Sequence, residues 1–157
     1  TVDDFDAVMR LNLKAGFFAT QAAVRAMTAQ GNTGLKRSII HISSMLGTVA
    51  LPGRAVYSAT KHALEGLTKA MALDLASDGI RVNSICPTYI ETPLTRPLME
   101  NQAFVDYVTQ RMPLSTAEQP IGKVGDLDGA LMFLADSALS DLVTGTNLVV
   151  DGGWTAQ

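Results

Sequence analysis

Cysteine is nearly absent from these 157 residues, with Cys86 standing alone. A lone cysteine excludes an internal disulfide and suits a reducing compartment. Long apolar runs are missing too. No stretch is long enough to span a bilayer as a helix, and no basic-then-apolar leader opens the sequence, so no membrane is expected as a partner. Nor is there a basic block, since 12 Lys+Arg face 15 Asp+Glu for a formal net charge of −3. That balance argues against nucleic acid and anionic membrane surfaces. Repeats, low-complexity tracts and linkers are absent, which leaves residues 1–157 as one expected domain with a cytoplasmic location. An initiator methionine is absent as well. The sequence begins at Thr1 as if a helix were already due, which suggests a piece of a longer protein.

What is present is 47% hydrophobic and 17% charged, with 13 glycines, the profile of a compact α/β protein. Thr1 followed by Asp4 is a capping-box pattern. From Asp4 to about Gln30 apolar residues recur at helical spacing, interrupted by Asn12, whose amide competes for backbone hydrogen bonds and reads as a surface or kink position. Gly31 to Gly34 marks a turn. Ser38 to Ser43 is a short β-branched run, expected as a strand buried on both faces. His41, in its middle, reads as core. The run leads into a loop at the strand's carboxyl end, Ser44 to Gly47, where open α/β sheets place working residues.

Pro52-Gly53 precedes a proline-free run, Tyr57 to Ser77, that reads as a second long helix ended by Gly79. Gly66 within it suggests close approach of another helix. Ile80 to Cys86 is a second buried strand closed by Pro87, and strand, helix, strand makes a parallel βαβ unit. Residues 89–120 form a long irregular insertion with a helical piece near Leu98 to Arg111, the mark of a lid or substrate loop. Its apolar members Leu94, Leu98, Met99 and Met112 either line a pocket or hold the flap down. A short helix from Asp126 to Ala135 and a third strand from Thr146 to Val150 complete the pattern.

Within the second helix, Tyr57 and Lys61 lie four residues apart, on one face and one turn from each other. A phenol is a poor acid or base near neutrality, because its unperturbed pKa is about 10. An ammonium one turn away favours the phenolate. An ordinary tyrosine above a solvated lysine gives the same pattern by chance, so the pair needs company.

The company is there. Asn12; Ile42-Ser43-Ser44, with Ser44 thirteen residues before Tyr57; Tyr57-x-x-x-Lys61; Val82-Asn83; Pro87-x-x-Ile90-x-Thr92; Thr144-Gly145; and Val150-Asp151-Gly152-Gly153 together resemble the short-chain dehydrogenase/reductase family from the first residue to the last. The resemblance implies a Rossmann-like α/β fold with a doubly wound parallel sheet, represented by its C-terminal part: three strands with flanking helices. It implies an oxidoreductase that moves hydride between NAD or NADP and a carbonyl or secondary alcohol. Tyr57 would be the general acid/base, Lys61 would lower its pKa and hold the nicotinamide ribose, and Ser44 would hold the substrate oxygen. Asn12 would position a water that relays protons to Lys61. Ile42, Pro87, Thr88, Ile90 and Thr92, with Tyr57 and Lys61, occupy cofactor-contact positions. The partners implied are a small carbonyl or alcohol substrate and further copies of the chain, as a dimer or tetramer.

Two departures stand out. Thr88 follows Pro87 where the family usually has glycine, and a β-branched residue resists positive φ, so the turn is expected to differ slightly. No glycine-rich phosphate loop occurs in the sequence, nor the residue that reads the adenosine ribose. The isolated chain is therefore expected to bind a dinucleotide weakly. A non-catalytic oligomerisation module, built on the two long helices, is the alternative from a different class. A dehydratase or epimerase using the same Tyr-Lys pair is a third, but such relatives usually carry a larger C-terminal domain. Met45, Leu46 and Tyr89 suggest a moderately apolar substrate.

Overall fold

The computed structural model of the chain describes residues 1–31 and 36–156. The Gly31–Gly34 turn expected from the sequence therefore lies largely outside the described residues. Helix α1 (Val2–Met9) starts at a capping box: the Thr1 side chain accepts the Asp4 N–H, and the Asp4 carboxylate accepts from the Thr1 amine. A π-helical turn (Arg10–Lys14) leads without a break into α2 (Ala15–Ala29). After β1 (Arg37–Ile42) and the Ser44 loop comes α3 (Ala55–Asp74), then β2 (Ile80–Pro87). The remaining elements are α4 (Gln102–Arg111), α5 (Asp128–Ala135), α6 (Ser137–Ser140) and β3 (Asn147–Val150). Gly79, with φ of 68°, takes the left-handed position that ends the α3 segment, where a Cβ would be strained.

The strands form one parallel sheet in the order β1-β2-β3, with Ile42 opposite Ile85 and Ser84 opposite Asn147. Side chains alternate across it. Ser84 and Cys86 of β2 point to α3, where both meet Glu65, while Arg81 and Asn83 point the other way, toward Leu134 of α5 and Val143. The central strand β2 is buried along its whole length. Three hydrogen bonds connect polar positions that lie far apart in the sequence. Thr144 Oγ1 accepts the Val82 N–H, and the Asn83 amide bonds both the Val143 carbonyl and the Thr146 N–H, pinning the loop that feeds β3.

Strand β1 corrects the expectation of burial on both faces. Ile39 and His41 are buried against the helices, but Ile42 is 56% exposed. Cover is unequal along the strand: α5 meets its Ser38 end, where Ser38 Oγ donates to the Leu134 carbonyl, whereas Ile42 lines an open cleft with Asn12 and Lys61. His41 is core, as expected. Thr68 Oγ1 donates to the Leu64 carbonyl, so at 2.8 Å it accepts from His41 Nδ1, and Nε2 is left to accept from Thr20 Oγ1 at 2.9 Å. Donor bookkeeping thus puts a proton on Nδ1, and burial between α2 and α3, which lowers the His41 pKa, favours the neutral ring in which Nε2 accepts. At Gly66, none of the described helices makes the close approach expected there. A Cβ there would meet nothing within 4 Å. Gly66 lines an open groove of about 820 Å³ between α3 and the α1–α2 helix, with Phe17, Phe18, Ala63, Leu67 and Ala70.

Candidate active site

The first turns of α3 meet the carboxyl ends of β1 and β2, and that junction gathers the residues singled out in the sequence. Tyr57 is half-buried and Lys61 is 9% exposed. The Lys61 ammonium donates to the Ile42 carbonyl at 3.1 Å and lies 5.5 Å from the centroid of the Tyr57 ring. Burial pulls Lys61 below the ordinary lysine range, against the opposing pull of the Glu65 carboxylate and of Cys86. A strand carbonyl and a tyrosine ring therefore hold a cation that water largely cannot reach.

Ser44 caps the short turn Met45–Gly47: its Oγ accepts the Leu46 N–H at 3.2 Å, which leaves the hydroxyl proton for another acceptor. This loop lies against α3 so closely that a Cβ on Gly47 would stand 2.9 Å from Glu65 Cγ and 3.1 Å from the Lys61 carbonyl. Only glycine fits that approach.

Asn12 occupies the middle of the π turn, where the Ala15 N–H bonds the Arg10 carbonyl five residues back. The sequence reads as one helical run here, with Asn12 as a surface or kink position. The wider turn turns the Asn12 amide toward α3, and its Nδ2 donates to Thr60 Oγ1 at 3.3 Å. Thr60 in turn donates to the Tyr57 carbonyl at 2.7 Å. Asn12 and Lys61 line one cleft of about 410 Å³ along the free side of β1. Single-turn π-bulges are frequent at functional sites.

Ile42 ends β1, and Pro87 ends β2 opposite Val150. Thr88 prolongs the ladder, its N–H donating to the Val150 carbonyl at 3.2 Å. Its φ is not positive, so this turn is built without the left-handed conformation that glycine would permit, and β-branching is no obstacle. The Thr88 hydroxyl is buried with no hydrogen-bond partner. Ile90 and Thr92 lie further along: Ile90 bridges to Gly122, and Thr92 exchanges hydrogen bonds with Thr95. An orphaned hydroxyl on Thr88 and an ammonium on Lys61 with donors to spare suit the carboxamide and ribose of a nicotinamide.

Next to Tyr57 stands a wall of Met45, Leu46, Val108, Met112, Ile121 and Trp154, joined by Tyr89, Phe104 and Tyr107. Met45 and Leu46 are buried inside this cluster. Tyr89 packs edge-on to Phe104 and tilted against Trp154, with ring centroids 5.1 and 5.7 Å apart. Burial pushes the Tyr89 phenol up, opposed by the Arg54 guanidinium. Of the insertion's apolar residues, Met99 and Met112 pack into the cluster, whereas Leu94 is 87% exposed. Three contributors are not apparent from local sequence: Thr60, Glu65 and Trp154. Only the spacing of Glu65, four residues after Lys61, hints at a shared face.

A family model described as enoyl-(acyl carrier protein) reductase matches residues 1–155. The 2-(R)-hydroxypropyl-CoM dehydrogenase of Xanthobacter autotrophicus is 38% identical over 99% of this chain and 58% of its own length. A gluconate 5-dehydrogenase from Burkholderia cenocepacia, crystallised with NADP and tartrate, superposes with a TM-score of 0.89 at 42% identity, over 100% of this chain and 58% of that one. A 4-hydroxyisoleucine dehydrogenase mutant with NADH and succinate gives 0.88 at 35% identity, over 100% and 61%. The chain belongs to the short-chain dehydrogenase/reductase family, whose fold is Rossmann-like and whose cofactor is NAD(P). It spans 58% of the length of the first of these relatives.

Proposed function

We propose that residues 1–157 form one unit carrying the proton-handling machinery of an oxidoreductase that interconverts a carbonyl and a secondary alcohol. The observation that carries this reading is the Lys61 ammonium, held 3.1 Å from the Ile42 carbonyl and 5.5 Å from the Tyr57 ring, beside the loop of Ser44. In reduction the Tyr57 phenol gives its proton to the substrate oxygen; in oxidation the phenolate takes it back. Lys61 favours that phenolate by charge. The Ser44 hydroxyl keeps its proton and donates it in a hydrogen bond to the substrate oxygen, fixing its position. Asn12, anchored through Thr60, keeps its amide oxygen as acceptor for a water that passes protons to Lys61. Ile42, Tyr57, Lys61, Pro87, Thr88, Ile90 and Thr92 would hold the nicotinamide end of NAD or NADP. When bound, the nicotinamide supplies or takes the hydride. The aromatic wall around Tyr89 and Trp154 favours a small, partly apolar substrate.

The test is turnover. The longest natural form of the protein that carries this chain is offered NADH or NADPH with a panel of small ketones and keto acids, and cofactor oxidation is followed by absorbance. Ketone-dependent oxidation supports the reading; none with either cofactor, from a protein that binds both, would sink it.

A second reading, a surface for self-association, is favoured by one observation. The groove at Gly66 is apolar, open, and flanked by the exposed rings of Phe17 and Phe18. A second copy, meeting it about a two-fold axis, would cover both. The two readings are compatible.

A further inference from the structure

Glu65 is 4% exposed, and its carboxylate makes no ion pair among the described residues. Burying a carboxylate without a cation in contact is costly, so its surroundings need explaining. Ser84 Oγ donates to Oε2 at 2.7 Å, and the Cys86 thiol donates to Oε1 at 3.3 Å. Burial pushes the Cys86 thiol up to about 12, so it remains a donor. Two donors aimed at two oxygens suit a charged carboxylate.

The position matters as much as the bonds. Tyr57, Lys61 and Glu65 are spaced at four and four, so they rise along one face of α3. Glu65 Cγ lies where a Gly47 Cβ would collide at 2.9 Å, so the Ser44–Gly47 loop rests on this side chain. One carboxylate thus touches β2, which runs on to Pro87, and the loop that carries Ser44, from one turn beyond Lys61.

We propose that Glu65 is a positioning residue for the Tyr57–Lys61 pair, acting on Lys61 through its charge and on the Ser44 loop and β2 through contact. The charged and titratable groups facing Lys61 are Tyr57 on its own helix, Glu65 one turn on, and Cys86 from β2. Of these, Glu65 is the one whose negative charge offsets the burial of the ammonium. His41 of β1 feels the same charge. In a low-dielectric interior such a fixed charge keeps its reach. The inference rests on the function proposed above, since it assigns Lys61 a task, but its test does not require turnover.

The test uses the longest natural form of the protein that carries this chain, isotope-labelled at lysine Cε. The Lys61 signal, assigned by its loss in Lys61→Arg, is followed by NMR from about pH 7 to about pH 11. In Glu65→Gln the Lys61 midpoint should fall by about one unit, as expected for loss of a nearby opposite charge. In Glu65→Asp, which keeps the charge but shortens the reach, the midpoint should stay near the wild-type value while the melting temperature drops. An unmoved midpoint in a folded Glu65→Gln would overturn the proposal and leave Glu65 as a structural partner of Ser84 and Cys86. If Glu65→Gln does not fold, a glutamate Cδ titration of the wild type decides, with the signal assigned by Glu65→Asp. A carboxylate at neutral pH supports the proposal; a carboxylic acid there overturns it. A protein with no oxidoreductase activity would count against the proposed function alone, because both readouts follow protons rather than hydride.

Discussion

Asn12 and Tyr57 are linked through a single hydroxyl: the Asn12 amide donates to Thr60, and Thr60 donates to the Tyr57 backbone carbonyl. The link joins the π turn to the helix that carries the proposed acid/base, and it can be measured. Thr60→Val keeps shape and removes the hydroxyl, so it should cost about 1 kcal/mol of stability. In a double-mutant cycle with Asn12→Ala the two losses should overlap rather than add. Additive losses in thermal unfolding would mean that the two side chains do not act on each other.

Tyr57→Phe keeps the ring in its apolar wall and removes only the hydroxyl. Turnover should fall by about a hundred- to ten-thousand-fold, with cofactor affinity close to that of the wild type by calorimetric titration. More than about a tenth of wild-type turnover would be too much for a lost acid/base.

His41 gives a prediction about pH. Burial lowers its pKa below the ordinary histidine value, and Glu65 opposes that shift. The folded state therefore binds the proton less readily than the unfolded state does. The stability contributed by a neutral His41 is fully present above the unfolded value of about 6.5 and is lost as pH falls toward the folded value. The slope in that window can reach about 1.4 kcal/mol per pH unit. Denaturant midpoints at about pH 7.5 and about pH 5.5 should differ more for the wild type than for His41→Gln. Equal differences would place the acid sensitivity elsewhere.

Gly66→Asp tests the groove. A carboxylate among Phe17, Leu67 and Ala70 would have to be desolvated if a second copy covered it. Sedimentation should show the variant shifted to smaller species than the wild type at equal concentration. A wild type that is monomeric at micromolar concentration would remove the reason for the groove.

The features legible in the sequence depend on neighbours along the chain. The Thr1–Asp4 box, the Gly79 stop, the buried run of β2 and the shared face of Tyr57 and Lys61 each follow from local spacing. The features that differ depend on neighbours in space. Asn12 marks a kink position in the sequence, but the kind of turn and its purpose do not show there, because the bond that accompanies it goes to a residue 48 positions away. The exposure of Ile42 reflects the open cleft at the end of β1, and the open space at Gly66 reflects the absence of a helix facing it among the described residues. Glu65 looks like any solvated helix charge until Ser84 and Cys86 are seen beneath it.

One small feature governs how this molecule can vary over generations. Ile90 and Gly122 are bridged in parallel, with the Glu91 N–H on the Gly122 carbonyl at 2.7 Å and the Gly122 N–H on the Tyr89 carbonyl at 2.9 Å. The segment between them is closed at its base by this bridge and tied to the chain after β3 by the Leu114 N–H, which donates to the Gly152 carbonyl at 3.1 Å. Its length and surface can drift without moving a strand, provided that Val108 and Met112 still pack beneath Trp154. Substitutions can thus accumulate on its exposed side, whereas a change at Val108 or Met112 is felt in the cluster against which Tyr57 packs.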